Sequence, residues 1–436
     1  MTAAAETSER PAIRLRPVHV IAVAAGNGLE FFDFLIYATF AIFIGKAYFP
    51  THDPRISLLL SLATFGVGFV PRPIGGIVIG LIGDRVGRRP AMLLSFGLMG
   101  VGALGLAATP TYAQIGIAAP ILVILARLVQ GFALGGEVGP STAFLVEAAG
   151  DRRRGLIGSF QSASQGIAML AASGVAMLLA YLLPQTDLAA WGWRLGFFAG
   201  LTIVPFGLLV RRSLPETAPP RLVSAPLPPD KTPWAIVALG VMMLASGTIN
   251  TYVASYMTTF AMDTMHLSAK AAFGVGVVNG VCALVCLPIG GWLSDRFGRK
   301  VVAIPSVILS TALLLPALSF ALAHPSAWAL DAAAAVVAIP GALGSAAILV
   351  AITESFPPSM RCLAVGLVYA GAITVFGGSA QFVVQWLVLA THQPMAPAYY
   401  RFAASLVGLA ALVLLPESAP VRRAATPTSA PVLASA

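Results

Sequence analysis

Twelve stretches of this sequence are apolar over roughly the 20 residues that a helix needs to cross a lipid bilayer. The chain of 436 residues is 58% hydrophobic and only 10% charged, whereas soluble domains carry about 25% charged residues. Acidic residues interrupt the first stretch, which therefore does not resemble a cleavable signal peptide. The sequence predicts an all-α membrane protein with twelve transmembrane helices, which begin near residues 18, 57, 90, 116, 156, 191, 234, 270, 301, 327, 362 and 397.

Lysine and arginine are concentrated at the two ends of the chain and in every second connection between these stretches. The formal net charge is +9, but the basic groups lie in short segments such as 83–90, 150–155 and 294–300. Basic loops remain in the cytoplasm when a membrane protein inserts, so the pattern predicts two cytoplasmic termini and an even number of spans. The positive charge reflects topology, and we expect no nucleic-acid partner.

Short motifs occur twice along the chain. The segment "GLIGDRVGRR" at 80–89 matches "GWLSDRFGRK" at 291–300, and "SLPET" at 213–217 matches "LLPES" at 414–418. Duplicated halves around a central site are typical of alternating-access transporters. The predicted organisation is a tail at 1–17, a six-helix bundle at 18–212, a proline-rich linker at 213–233, a second six-helix bundle at 234–417 and a tail at 418–436.

Five further motifs narrow the family. They are "GNGLEFFDF" in helix 1, "RPIGG" in helix 2, "RLVQGFALGGE" in helix 4, "SFQSASQ" in helix 5 and "WGWRLGFF" at helix 6. With the repeated loop motif and the twelve spans, the chain resembles the metabolite:proton symporter family of the major facilitator superfamily and looks closest to its citrate and tricarballylate carriers. The resemblance implies two pseudo-symmetric six-helix bundles in the inner membrane, a monomer without cofactor or metal, and symport of a small organic anion with protons.

The resemblance also implies a charge lock on the cytoplasmic side, which holds the outward-facing state and breaks on opening. A basic loop alone would explain the arginines but neither the aspartates nor the repeated spacing. Glycines would permit a sharp turn and close packing there, and Glu147 with Arg154, like Glu354 with Arg361, are expected partners at this rim. The predicted gate comprises Gly80, Asp84, Arg85, Gly87, Arg88, Arg89, Glu147, Arg154, Asp295, Arg296, Arg299, Glu354 and Arg361.

Ionisable groups inside the spans point to a binding site, because each costs several kcal/mol in lipid unless it is paired or solvated. At about 100° per residue, Glu30, Asp33 and Tyr37 of helix 1 fall on one stripe, with Asn27 adjacent. We expect this stripe to face the interior of the bundle.

Helix 4 carries a matching stripe. Arg127, Gln130 and Glu137 lie on one side of the predicted helix, and Gly131 and Gly135 beside them would allow another helix to approach closely. The two stripes are therefore expected to meet.

Helix 2 contributes a second arginine. Arg72 lies between Pro71 and Pro73, twelve residues before Asp84, which places it about 18 Å from the cytoplasmic end of the helix. The prolines are expected to loosen the helix at this depth.

Arginine binds a carboxylate through two parallel hydrogen bonds and keeps its proton, which suits an anionic substrate. A carboxylate beside an arginine can give up that partner to the substrate as it takes up a proton. Asp33 is therefore the predicted proton carrier, followed by Glu30 and Glu137. The predicted substrate ligands are Arg72, Arg127, Asn27, Gln130, Tyr37, Gln161, Gln165, Tyr252, Tyr256 and Asn279.

Alternatives stay open at this stage. Arg127 could form a structural ion pair with Asp33 or Glu30, and Gln161 and Gln165 could hold helices together. The substrate could be a zwitterion such as proline or betaine, or another metabolite such as shikimate. A drug antiporter would have a more apolar cavity, and a receptor would need an output domain. No zinc spacing, phosphate loop or nucleophile–histidine pair indicates an enzyme.

Overall fold

The structure, a computed structural model, describes residues 17–86, 88–135, 145–146, 149–150, 152–201, 205, 234–357 and 361–423. Within these ranges the chain is almost entirely helical and contains no β-strand. A helix satisfies its own backbone hydrogen bonds, which a segment surrounded by lipid must do. The predicted all-α fold is confirmed.

The first half of the described chain contains ten helices. They are α1 (Pro17–Thr39), α2 (Ala41–Tyr48), α3 (Pro54–Val67), α4 (Arg72–Arg85), α5 (Arg88–Ala108), α6 (Tyr112–Ile115), α7 (Ala118–Leu134), α8 (Arg154–Leu182), α9 (Gln185–Asp187) and α10 (194–201). A π-helical turn at Leu188–Gly192 precedes α10.

The second half contains the longer helices. They are α11 (Trp234–Asp263), α12 (Ala269–Phe297), α13 (Arg299–Ala323), α14 (Ala327–Glu354), α15 (Arg361–Ala372), α16 (Gly378–Thr391), α17 (Ala396–Leu414) and α18 (Pro420–Arg423). A π-helical turn at Ile373–Gly377 joins α15 to α16.

These helices follow the order of the predicted spans. Eight segments of the described chain are long and apolar enough to cross a membrane, and α1 with α2 forms a ninth candidate that is bent by 65°. Leu93–Ala108 and Ala118–Leu134 are shorter apolar helices, and α10 reaches the edge of the described residues at 201. Together they account for twelve segments.

The second span is irregular at the depth of Arg72. Residues 68–71 form turns between α3 and α4, Pro71 precedes α4 and Pro73 occupies its first turn. Proline has no N–H to continue the helical hydrogen bonds. The break expected from the two prolines is therefore present, and Arg72 begins α4.

Glycines bring α7 against this break. A methyl group on Gly131 would overlap the carbonyl oxygen of Gly68, and one on Gly135 would overlap the carbonyl oxygen of Arg72. Small residues allow helix backbones to approach in this way. The predicted close approach at Gly131 and Gly135 is confirmed, and it sets the arginine of α7 beside that of α4.

The two halves touch at both ends of the molecule. At one end, the backbone N–H of Gly155 in α8 donates to Asp295 Oδ1 of α12 at 2.7 Å. At the other end, the rings of Phe40 and Phe273 pack edge to face at 5.6 Å, and Lys270 lies over the ring of Tyr181 at 4.8 Å. The candidate site lies between these two contacts.

Candidate functional site

Three buried polar side chains connect α1 to α7. Arg127 Nη1 donates to Gln130 Oε1 at 2.7 Å, and Gln130 Nε2 donates to Asp33 Oδ2 at 3.0 Å. Arg127 and Gln130 are fully buried, and Asp33 is 5% exposed. The amide thus stands between the acid and the guanidinium, so Asp33 does not form the direct ion pair with Arg127 that the sequence left open.

This chain of hydrogen bonds leaves several buried atoms available. Arg127 Nε, Arg127 Nη2 and Asp33 Oδ1 have no hydrogen-bond partner among the described residues. A methyl group on Gly200 of α10 would lie 2.6 Å from Asp33 Oδ1. Because unsatisfied buried polar groups are costly, these atoms are suited to receive a ligand or a proton.

Aromatic rings surround both arginines. The Arg127 guanidinium carbon lies 4.4 Å from the centre of the Phe34 ring and 4.1 Å from that of Tyr37. The Arg72 guanidinium carbon lies 4.6 Å from the same Phe34 ring and 3.9 Å from Phe69. Cation–π contacts of this kind stabilise a desolvated cation by about 2 kcal/mol or more. Two cations therefore share one ring at the centre of the first half.

The second half closes this region with an aromatic side chain. Tyr252 of α11 packs against Phe65 at 5.7 Å and against Phe69 at 5.4 Å, measured between ring centres. Tyr252 is 3% exposed. Tyr252, one of the predicted substrate ligands, thus reaches the rings around Arg72.

Two of the predicted ligands hold α1 against α8 instead. Asn27 Nδ2 donates to the Gln161 carbonyl oxygen at 3.0 Å and to Ser164 Oγ at 2.7 Å. Gln161 Nε2 donates to Asn27 Oδ1 at 3.1 Å. These hydrogen bonds hold the two helices together. Gln165, one turn further along α8, is half-buried.

The remaining predicted ligands lie in different surroundings. The Tyr37 hydroxyl donates to the Ser61 carbonyl oxygen at 3.2 Å, while its ring faces Arg127. The Tyr256 hydroxyl donates to Gln385 Oε1 of α16. Asn279 Nδ2 donates within its own helix, to the Val275 carbonyl oxygen at 2.9 Å.

A second group of charges, the Arg299 cluster, consists of Asp295, Arg299 and Glu354. Arg299 Nη1 lies 2.7 Å from Asp295 Oδ1, and Nη2 lies 3.0 Å from Glu354 Oε1. Asp295 also accepts hydrogen bonds from the backbone N–H groups of Gly155 and Leu156, at the start of α8. The cluster therefore ties the second half to the first, and it lies on the predicted cytoplasmic side.

The other residues of the predicted gate lie in different surroundings. Glu354 pairs with Arg299, and the side chain of its expected partner Arg361 lies outside the described residues. Arg296 is exposed and lies over the rings of Trp292 and Phe297 at 5.9 and 5.6 Å. No described atom lies within 4 Å of where a Gly80 methyl group would sit, so the close packing expected at Gly80 is not found. Arg154 begins α8. The other predicted site side chains lie outside the described residues: Glu30, Asp84, Arg85, Gly87, Arg88, Arg89, Glu137, Glu147 and Arg361.

Sequence reasoning did not single out the rings of Phe34 and Phe69, or Arg401 in α17. Phe69 is only three residues before Arg72 in the sequence, and this signal was available. No group of three or more His, Cys, Asp or Glu side chains in the described part of the chain is arranged to hold a metal ion.

Comparison with known proteins gives consistent results. Residues 18–221 match the family model "Sugar (and other) transporter", and residues 275–434 match "Major Facilitator Superfamily". The chain is 34% identical to the citrate-proton symporter of Salmonella typhi, over 91% of this chain and 93% of that protein. It is 30% identical to the glycine betaine/proline/ectoine/pipecolic acid transporter OusA of Dickeya dadantii, over 93% of this chain and 84% of that protein.

The fold is also found among solved structures. The partially occluded inward open conformation of the xylose transporter XylE from E. coli superposes with a TM-score of 0.73, over 92% of this chain and 98% of that one. The sequence identity is 15%, so this likeness concerns the fold alone.

Proposed function

The chain belongs to the major facilitator superfamily and, within it, to the metabolite:proton symporters, and we propose that it imports a small di- or tricarboxylate such as citrate. It is a multi-pass transporter of the inner membrane and not an enzyme. Proton-coupled symport follows from the family, while the substrate is our inference.

The observation that carries the proposal is the pair of arginines at the Phe34 ring. Arg127 keeps two nitrogen atoms without acceptors in the described chain, and its third hydrogen-bonding nitrogen meets a neutral amide. A carboxylate accepts two parallel hydrogen bonds from one guanidinium. A substrate with two carboxylates can engage both arginines, whereas a zwitterion brings one carboxylate and a cation that both arginines repel.

The proton enters the proposed cycle at Asp33. When ionised, Asp33 balances the charge of Arg127 through Gln130, in the geometry described above. Protonation, for which Oδ1 is the available oxygen, removes that negative charge. Arg127 is then a buried cation in need of another anion, and the substrate carboxylate supplies it. Proton uptake thus favours substrate loading without any direct contact between the two.

Alternating access requires that the halves separate at one end at a time. The Arg299 cluster supports the proposed gate, because Asp295 binds the start of α8 and Arg299 at once. Opening at this end would break the two N–H···O bonds from Gly155 and Leu156. We propose that this side is cytoplasmic, as the distribution of basic loops predicts.

Uptake into proteoliposomes tests the substrate class. A panel of citrate, succinate, 2-oxoglutarate, shikimate, proline and betaine is offered with and without an inward proton gradient. We expect gradient-dependent uptake of the di- or tricarboxylates. Uptake of proline or betaine alone would refute the substrate class, and uptake that is insensitive to collapse of the gradient would refute proton coupling.

Replacement of Asp33 by asparagine tests the coupling step. Asparagine keeps the shape but carries no charge at any pH, so the variant should exchange labelled for unlabelled substrate yet fail to accumulate it. Exchange is measured by counterflow without a gradient, accumulation with one. Accumulation at the wild-type level would exclude Asp33 as the proton carrier.

Replacement of Arg127 by lysine tests the binding step. Lysine provides a point charge and cannot form the planar two-bond contact or stack on both rings, so we expect transport to be abolished. Substrate-induced stabilisation in detergent, followed by thermal unfolding, should disappear as well. A variant that transports with unchanged affinity would show that Arg127 does not contact the substrate.

A further inference from the structure

A second cation lies in the other half of the molecule. Arg401 is in the second turn of α17, half-buried, and lines a cavity with residues of α11, α12, α13 and α14. The cavity has a volume of about 50 Å³ and opens to the surroundings. Its wall is otherwise apolar except for Asn279, and it includes Met257, Leu314 and Ala334.

The guanidinium of Arg401 is held in a fixed orientation. Its Nε donates to Asn250 Oδ1 at 3.1 Å, and Asn250 Nδ2 in turn donates to Ser405 Oγ at 3.0 Å and to the Ser246 carbonyl oxygen at 2.9 Å. The structure gives the two terminal nitrogen atoms of Arg401 no acceptor among the described residues. One edge of the guanidinium is thus bound, and the other edge remains available at the cavity.

An acid on one of the cavity helices does not pair with Arg401. Asp331 of α14 lies between cavity-lining residues in sequence, but its carboxylate is directed at α12, where both oxygens lie 3.1–3.3 Å from the position of a Gly274 methyl group. No ion pair of Arg401 occurs within the described chain. An uncompensated cation beside an apolar wall calls for an anion with an apolar body.

The cavity is separate from the site at Phe34. Tyr252 and Tyr256 lie on one face of α11, one turn apart, and Tyr252 meets the rings near Arg72. Ala254 and Met257, which line the cavity, are about 120–180° away around the same helix. The helix α11 therefore stands between the two regions, and a ligand in the cavity would not occupy the proposed transport site.

We propose that this cavity binds a small amphiphilic carboxylate, with its carboxylate on the free edge of Arg401 and its hydrocarbon part against the apolar wall. The cavity is open to the surroundings, so only the part of the ligand next to Arg401 needs to be enclosed. The ligand would link α17 to α11, α13 and α14.

Equilibrium dialysis of the purified full-length protein against radiolabelled octanoate tests this site. We expect one saturable site, with competition by unlabelled octanoate and none by octan-1-ol, which has the same chain without the charge. Arg401→Gln should weaken binding by at least about tenfold. Ala334→Phe, which fills the cavity from α14 and leaves Arg401 in place, should abolish binding while citrate uptake continues.

Arg127→Gln is the control for the central site and should bind octanoate as the wild type does. Loss of binding in that variant would overturn the proposal by placing octanoate at the transport site. Unchanged binding in both Arg401→Gln and Ala334→Phe would overturn it too. Displacement of octanoate by much lower concentrations of dioctanoylphosphatidylglycerol would assign the cavity to a lipid and not to a free carboxylate.

Discussion

Gln130 offers the sharpest test of how charge is balanced in the site. Methionine at this position would keep the length and most of the volume of the side chain but remove both hydrogen bonds. Asp33 Oδ2 would lose its donor at 3.0 Å, and Arg127 Nη1 would lose its acceptor at 2.7 Å. The acid and the guanidinium would then both be buried without the group that connects them.

The size of the effect follows from the charges. A hydrogen bond to an ionised group contributes about 1.5–3 kcal/mol, so Gln130→Met should lower the free energy of unfolding by about 3–6 kcal/mol. Gln161→Met is the matched control, because Gln161 is equally buried and its amide makes a neutral bond to Asn27 at 3.1 Å. A neutral interhelical bond contributes about 0.6 kcal/mol on average in membranes.

Transport separates the two variants more clearly than stability does. In proteoliposomes, counterflow exchange reports binding and conformational change, and accumulation under an inward proton gradient reports coupling. With activity normalised to folded protein, Gln130→Met should lose at least about tenfold in accumulation, which corresponds to about 1.4 kcal/mol of lost coupling. Gln161→Met should retain both activities.

Two results would refute this reasoning. If Gln130→Met accumulates substrate as the wild type does, the amide does not link proton binding at Asp33 to Arg127. If Gln130→Met and Gln161→Met lose accumulation and exchange in the same proportion, the amide of α7 is only a structural contact.

Other substitutions test the surroundings of the site. Gly200→Ala would place a methyl group 2.6 Å from Asp33 Oδ1 and should lower proton-driven uptake severalfold. Gly174→Ala is the control, because its methyl group meets open space, and it should leave uptake unchanged. An equal loss of uptake in both variants would contradict the role of Asp33 as the proton carrier. Arg299→Gln removes a fully buried cation from two acids and should destabilise the protein by about 3–5 kcal/mol, measured as a lower midpoint of thermal unfolding. Arg296→Gln is the exposed control and should leave the midpoint nearly unchanged. A similar shift in both variants would show that the Arg299 cluster does not stabilise the protein.

Periodicity accounts for what the sequence could predict of the site. The spans follow from apolar length, and the meeting of Asp33 with Arg127 and Gln130 follows from two polar stripes on neighbouring helices. The approach of α7 to α4 could be expected from Gly131 and Gly135. Each of these patterns is contained within one helix, where the spacing of residues determines which side chains share a face.

Contacts between distant helices could not be predicted in the same way. Asn27 was expected at the substrate, but it meets Gln161 across a separation of 134 residues, and no single-helix pattern shows which polar groups satisfy each other. The sequence spacing paired Glu354 with Arg361, and it gave no sign that Glu354 also meets Arg299 across 55 residues. The aromatic environment of the arginines was missed because phenylalanine in a membrane helix usually indicates packing against lipid or other helices.

The ring of Phe34 has a further consequence, since both guanidinium groups contact it. Their carbon atoms cannot be more than about 9 Å apart. Contact with this one ring therefore limits how far apart two carboxylates can be if they are to engage both arginines. Selection among organic acids would then depend on carbon-chain length as well as on charge, and a smaller side chain at this position would change the preferred length.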